Sequence, residues 1–287
     1  MSAVVMDGKA LAAKVKARAL AAAGQLERQP GLAVILVGEN PASQVYVRGK
    51  VQDCADCGIA CFDYYLPADT TEEQLLALVA ELNERSDVDG ILCQLPLPKH
   101  ITEKKVLEAI SPDKDVDAFH PYSMGRILRG DPCFLPCTPA GVMEMLREYE
   151  IPIAGRHCVV VSRSNTVGKP MQRLLLQQDG TVTTCHSRTA DLAAITREAD
   201  ILVAAVGRTD FVTADMVKEG AVVIDVGTTR VPDATRKSGF RLSGDVDFDN
   251  VAPRCSYITP VPGGVGPMTI CSLMKNTLAA GKHEYYK

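Results

Sequence analysis

Val159-Val160-Val161-Ser162-Arg163-Ser164-Asn165-Thr166-Val167-Gly168-Lys169-Pro170 is the stretch on which the fold turns. An apolar run gives way to small polar residues and then to a helix-compatible segment that extends to about Gln177. A strand, a tight turn and a helix in that order aim backbone N–H groups and a positive helix end at a pyrophosphate. The usual G-x-G-x-x-G is absent, with Ser162 and Ser164 where glycines would stand. By pattern alone the segment fits a dinucleotide turn or the plain strand–turn–helix of any α/β domain.

The alternation continues on both sides. Downstream, strands are predicted at Cys158–Val161, Thr181–Cys185, Ile201–Ala205 and Val222–Val226, with helices at Val167–Gln177, Thr189–Thr196 and Thr213–Val217. Upstream, helices are predicted over Asp7–Glu27, Pro41–Cys57 and Thr71–Arg85, and strands over Leu32–Val37, Ala60–Leu66 and Gly90–Gln94. Such alternation is the signature of parallel sheets covered by helices. Ser111–Thr138 is rich in Pro and Gly and reads as a connection; a helix over Pro139–Tyr149 joins the halves, and Met268–Ala280 reads as a last helix. The expected fold class is α/β with two domains, residues 1–137 plus 268–287 and residues 138–267.

Composition agrees with two ordinary globular cores: 287 residues, 46% hydrophobic, 23% charged. The net charge of −4 and the lack of any Lys/Arg block argue against nucleic acid as a partner. No apolar run reaches the roughly 20 residues needed to span a bilayer. Asp7, Lys9, Lys14, Lys16 and Arg18 interrupt what would be the apolar core of a secretory signal. A cytoplasmic location and reduced thiols for the ten cysteines are therefore expected. Cys54, Cys57 and Cys61 share a helical face as small buried hydrophobes, and no metal site is expected.

The candidate dinucleotide residues cluster after strands. Cys185-His186-Ser187-Arg188 carries no acidic residue for the 2′-OH of NAD, whereas Arg188 with Arg163 suits the 2′-phosphate of NADP. Their bland reading is plain surface charge. Gly207 and Gly227 follow two further strands, at the sheet edge where ligands of open α/β folds bind.

In the first half, Ser43, Tyr46 and Lys50 share one face of the predicted helix. A lone helical lysine is normally solvated; one held beside an aromatic ring and away from water loses pKa and can move protons. Gln94 ends an apolar strand in Gln94-Leu95-Pro96-Leu97-Pro98. Asp113, Asp115 and Asp117 sit in Pro112-Asp113-Lys114-Asp115-Val116-Asp117, where turn-forming aspartates are the bland reading. Ile258–Thr269 packs three prolines and three glycines into a stiff loop with few side chains, which lets backbone approach a ligand.

Together these segments resemble the bifunctional methylenetetrahydrofolate dehydrogenase/cyclohydrolase family. The likeness rests on Tyr46-x-x-x-Lys50, Gln94-Leu-Pro-Leu-Pro98, Pro112-Asp-Lys-Asp-Val-Asp117, Pro136-Cys-Thr-Pro139, Ser164-Asn-Thr-Val-Gly168, Asp225-Val-Gly227, Gly244-Asp-Val246 and Thr259-Pro-Val-Pro-Gly-Gly-Val-Gly-Pro-Met268, and it spans nearly the whole chain. It implies an N-terminal folate and catalytic domain to which the C-terminal helix returns, and a Rossmann-like NADP domain. It also implies two reactions: oxidation of 5,10-methylenetetrahydrofolate by NADP, and hydrolysis of the methenyl product to 10-formyltetrahydrofolate. By position, Lys50 would be the general acid/base, Gln94 its orienting partner, Tyr46 the surface under the folate ring and Asp117 the acceptor for pterin N–H groups. Ser43, Pro262, Gly263, Gly266 and Ile270 would border the folate. Ser162, Arg163, Ser164, Val167, Gly168, His186, Ser187, Arg188, Gly207, Gly227 and Thr228 would border NADP. A homodimer is implied as well.

The sequence departs from the family's pattern at two positions: the family usually has Gly where Ser162 stands, and commonly Gly where Ala118 stands. Ser162 would either crowd the pyrophosphate or add a donor to it. The competing readings are another Rossmann dehydrogenase with Lys50 as base, which leaves Asp117 and the Pro262-Gly263-Gly264 loop unexplained, and a catalytically silent binder of folate or dinucleotide.

Overall fold

The structure is a computed structural model that describes residues 3–38, 41–236 and 239–286; along 41–48 only the helical backbone is described. The first half runs β1 (Val4–Val5), α1 (Gly8–Ala23), β2 (Gly31–Val37), α2 (Pro41–Asp56), β3 (Ala60–Leu66), α3 (Glu72–Glu84), β4 (Gly90–Cys93), α4 (Glu103–Ala109) and α5 (Pro121–Arg129). It continues through α6 (Cys137–Glu148), β5 (His157–Val161), α7 (Gly168–Gln177), β6 (Thr181–Cys185), α8 (Leu192–Thr196), β7 (Ile201–Ala204) and β8 (Val222–Asp225). The last elements are β9 (Thr229–Pro232), β10 (Phe240–Ser243), α9 (Phe248–Val251), β11 (Tyr257–Ile258) and α10 (Val265–Gly281).

The chain forms two compact units: Ala13–Cys137 with Ile270–Lys287, and Met1–Ala12 with Thr138–Thr269. The expected division had residues 1–12 in the first half. Instead β1 pairs in parallel with β11, as Val4 opposite Tyr257 and Val5 opposite Ile258.

In the unit of residues 13–137, β3, β2 and β4 make a parallel sheet in that order. Every residue of β2 is buried because successive side chains point to opposite faces and both faces are covered. Leu32, Val34 and Leu36 join one core with Cys54, Cys57, Phe134 and Met274; Ala33, Ile35 and Val37 join another with Leu75, Val79 and Leu82. Thr71 starts α3 with a reciprocal capping box to Gln74.

In the other unit, six strands lie in the order β1-β11-β8-β7-β5-β6, each neighbouring pair parallel. Strand β5 has β6 on one side and β7 on the other, so the order reverses there. The crevice outside the carboxyl ends at such a reversal is the ligand position of open α/β sheets.

The expected elements differ from the observed ones where local signals were short. Residues 111–138 are not irregular throughout: α5 lies within them, begun by His120 and Pro121 and ended by Gly130 in the left-handed region at φ 83°. The helix expected over Thr189–Thr196 is confined to Leu192–Thr196, and that over Thr213–Val217 is a single 3-10 turn at Ala214–Met216. The hairpin of β9 and β10 was not anticipated.

Candidate active site and dinucleotide site

Strand β4 delivers the first group. Gln94 follows its last residue, and the Gln94 N–H donates to the Ile35 carbonyl at 2.9 Å, which continues the ladder and fixes the backbone. The Gln94 amide Nε2 donates to the Leu95 carbonyl at 2.8 Å, so Oε1 is the atom turned to Lys50. Lys50 Nζ donates to that oxygen at 2.8 Å. The lysine comes from α2; the side chains of Ser43 and Tyr46 on the same helix lie outside the described residues.

The aspartate run splits into separate tasks. Asp113 accepts from the Ser111 hydroxyl. Lys114 Nζ donates to the Leu82, Asn83 and Arg85 carbonyls at 3.1, 2.6 and 2.7 Å, and so occupies the acceptors at the end of α3. Asp115 is buried, pairs as an isolated bridge with Ile91 and accepts the His120 N–H at 2.7 Å. Burial pushes its carboxyl up to about 7. Asp115 thus bonds the backbone of its own loop, as the turn reading has it, whereas Asp113 bonds a side-chain hydroxyl. Asp117 has other neighbours, the Lys50 ammonium and the Cys137 thiol, which itself donates to the adjacent Val116 carbonyl at 3.4 Å. Burial raises the Asp117 carboxyl, and the same desolvation lowers the Lys50 amine, against the opposing pull of the Asp117 charge. Ala118, next in line, sits in the left-handed region at φ 58°, a strained place for a side chain.

Sequence reading quoted Cys137 only within the Pro136-Cys-Thr-Pro139 motif, with no role in the site, and did not single out Asn276. Asn276 Nδ2 donates to the Val116 and Leu135 carbonyls at 2.8 and 2.9 Å, tying α10 to the loop that carries Asp117. Neither residue stands out locally, because a thiol and an amide acquire meaning only from what they meet.

In the other unit the loop Thr259–Gly266 is braced by the start of α1. Lys9 N–H donates to the Gly263 carbonyl at 3.2 Å, and a side chain at Gly8 would overlap the Gly264 carbonyl. Gly263 has φ 106°. Pro262 and Gly266 are exposed, and a Cβ on Gly266 would meet nothing within 4 Å. Internal packing therefore does not call for glycine at 266. Ile270 lies half-buried on α10.

Ser162 stands at the carboxyl end of β5, at the strand reversal. A Cβ on Gly168 would lie 2.5 Å from the Ser162 carbonyl carbon, so glycine is required for α7 to start this close to the strand. The Ser164 hydroxyl accepts the Val167 and Gly168 N–H groups at 3.1 Å each, and is spent on the turn itself. Ser162 Oγ is buried and lies 3.4 Å from both Ser164 Oγ and Ser164 N. Ser162→Gly should therefore change dinucleotide affinity by no more than roughly tenfold, about 1.4 kcal/mol; calorimetry showing a collapse of binding would make the hydroxyl an essential ligand.

Arg163 and Arg188 are exposed at this edge, and neither guanidinium has a hydrogen bond or ion pair among the described residues. His186 Nδ1 accepts the Arg188 N–H at 3.2 Å, and Thr189 Oγ1 accepts the His186 N–H at 2.8 Å, which fixes the turn that presents Ser187 and Arg188. Two free guanidiniums and no carboxylate in that turn fit a ribose 2′-phosphate. The Gly207 and Gly227 N–H groups donate to Asp245 and Asp225 at 3.0 and 2.9 Å, so neither is offered to a phosphate. Thr228 is exposed beside them.

Residues 6–117 match the tetrahydrofolate dehydrogenase/cyclohydrolase catalytic domain, and residues 136–285 match the NAD(P)-binding domain of the same name. The bifunctional protein FolD of Phocaeicola vulgatus is 57% identical over 291 residues, with 99% of each chain covered. The crystal structure of the bifunctional FolD dehydrogenase/cyclohydrolase of Campylobacter jejuni is similar at TM-score 0.94 and 46% identity, covering 99% of this chain and 100% of that one. The Trypanosoma brucei enzyme, solved with NADP and an inhibitor, is similar at TM-score 0.95 and 43% identity, with 99% of each chain covered.

Proposed function

The chain belongs to the tetrahydrofolate dehydrogenase/cyclohydrolase family, and from that membership we infer how its own residues carry out the two reactions. The enzyme oxidises 5,10-methylenetetrahydrofolate with NADP and hydrolyses the methenyl product to 10-formyltetrahydrofolate. NADP, when bound, supplies the two-electron acceptor for the first step. Arg163 and Arg188 hold its 2′-phosphate, and Gly168 lets the β5 turn come close. The wall of that site at Gly207, Gly227 and Thr228 is shaped by backbone, with the Gly207 and Gly227 amides satisfied internally.

The observation that carries the hydrolytic half is the 2.8 Å bond from Lys50 Nζ to Gln94 Oε1, in surroundings that lower the amine's pKa. A neutral Lys50 takes a proton from the water that attacks the methenyl carbon. The resulting ammonium returns that proton to the departing ring nitrogen, and as the C–N bond breaks the adduct's hydroxyl proton is lost to solvent, leaving the formyl C=O and one net proton released. The cationic substrate favours the neutral amine further, since like charges repel. Gln94 keeps Nζ pointed at the reacting centre. Asp117 receives pterin N–H groups; Ser43, Tyr46, Pro262, Gly263, Gly266 and Ile270 are assigned to the folate by the family resemblance alone. The reading extends to a cytoplasmic homodimer whose partners are folates and NADP, with neither membrane nor nucleic acid; family membership and a net charge of −4 without a basic run support it.

The test is absorbance: methylenetetrahydrofolate is mixed with the protein and with NADP or NAD, and reduced cofactor is followed. Silence with both cofactors would favour a binding protein without activity. Arg163→Ala should raise the KM for NADP by roughly tenfold while hardly moving that for NAD, as expected for loss of one charge-assisted phosphate contact. Equal use of both cofactors by the wild type would defeat this assignment.

A further inference from the structure

We propose that Asp245, braced by Asp225, is a positioning residue for the dehydrogenase half-reaction, acting through the backbone of the Val206-Gly207-Arg208 loop. The proposal rests on the NADP-dependent activity inferred above.

Asp245 is fully buried just beyond β10. Its Oδ2 accepts the Val206 and Gly207 N–H groups at 2.6 and 3.0 Å, and its Oδ1 accepts that of Arg208 at 2.8 Å. Three consecutive amides after β7 thus converge on one carboxylate. Asp225, the last residue of β8, does the same for the next loops. Its Oδ1 accepts the Gly227 and Asp245 N–H groups at 2.9 Å each, and its Oδ2 accepts that of Val246 at 2.9 Å. Thr259 Oγ1 accepts the Asp225 N–H at 2.7 Å, which ties in the start of the Pro/Gly loop.

The two carboxylates interlock through glycine. A side chain on Gly227 would overlap the Asp245 carboxyl, and one on Gly244 would overlap Asp225 Oδ2. The backbone adds a frame: Val212 N–H donates to the Asp245 carbonyl at 2.9 Å, and Asp247 N–H donates to the Val212 carbonyl at 3.0 Å. This explains why Asp225-x-Gly227 and Gly244-Asp245 occur together in the sequence. Each glycine makes room for the other motif's carboxylate.

The chemistry of such an arrangement is specific. A loop with free amides would bind an anion. Here buried carboxylates already fill that role, so the loops after β7 and β8 have no amides at 206–208 or 227 left for phosphate. They are held in one geometry by charge-assisted bonds away from competing water. That suits the uncharged or cationic end of the dinucleotide, whose reactive ring needs accurate placement more than it needs donors. Arg163 and Arg188 serve the phosphate end.

The experiment compares wild type, Asp245→Asn and Gly207→Ala. Asn keeps the shape but turns an NH2 toward one or more of the three amides. Gly207 has φ 69° with open space beyond it, so an added methyl bends the loop without crowding anything. Three readouts are taken: NADP affinity by calorimetry, dehydrogenase kcat and KM, and hydrolysis of supplied methenyltetrahydrofolate without dinucleotide. The expected result for both variants is a tenfold or greater loss in NADP affinity or dehydrogenase kcat, with hydrolysis within twofold of wild type. Wild-type dehydrogenase parameters in Gly207→Ala overturn the proposal, as do equal losses in both activities for the two variants. If Asp245→Asn does not fold, Gly207→Ala alone decides. A wild type that reduces no NADP would instead remove the functional reading beneath it.

Discussion

Lys50→Met is expected to give a folded enzyme that still reduces NADP in part but no longer hydrolyses methenyltetrahydrofolate. Hydride transfer depends on where the methylene carbon is placed. Hydrolysis also needs one proton removed from water and another delivered to nitrogen, work typically worth about 10²–10⁴-fold. Lys50 is the group we propose for it, with Nζ bonded to Gln94 Oε1 and burial pulling its pKa below the ordinary lysine value. Methionine keeps the length and apolar bulk of the stem. The methenyl chromophore and reduced NADP are followed together, with circular dichroism as the folding control. The methenyl compound should accumulate. A folded mutant that hydrolyses it at the wild-type rate would take Lys50 out of the mechanism.

Changing Asp117 should act on folate first and on the lysine second. Asp117→Ala removes a carboxylate acceptor and leaves pterin donors unpaired; the expected loss of folate affinity is roughly 10–100-fold, with NADP binding intact. Calorimetry with each ligand checks this, and unchanged folate affinity would reduce Asp117 to a loop residue. Asp117→Asn isolates the electrostatic effect. The Asp117 charge raises the Lys50 pKa, against burial, which lowers it. Without that charge Lys50 gives up its proton at lower pH. The acidic limb of the cyclohydrolase profile, where activity rises as the amine becomes neutral, should therefore move to lower pH. A shift to higher pH, or none, would mean that the limb belongs to another group.

The sequence by itself determined the architecture, because hydrophobic periodicity and Pro/Gly punctuation act over a few residues. Buried runs such as Leu32–Val37 and Val159–Val161, each followed by a turn and a helix, are legible without tertiary information. So are Lys50, Gln94 and Asp117, since their motifs are contiguous. Short or irregular elements were less legible: α5 hides among prolines, and β1 has two residues that form a strand only because β11 lies beside them. The partners of the catalytic groups were invisible for the same reason. Cys137 donates to the Val116 carbonyl beside Asp117, and Asn276 reaches the same carbonyl from 160 positions away. The glycines show the limit most clearly. Gly207 and Gly227 read as turns at the ligand edge of the sheet, with no sign that their amides face buried carboxylates. Local sequence specifies that a turn occurs. Which way its N–H groups point depends on what the chain brings up behind it, and at this edge that is Asp245, 38 residues beyond Gly207.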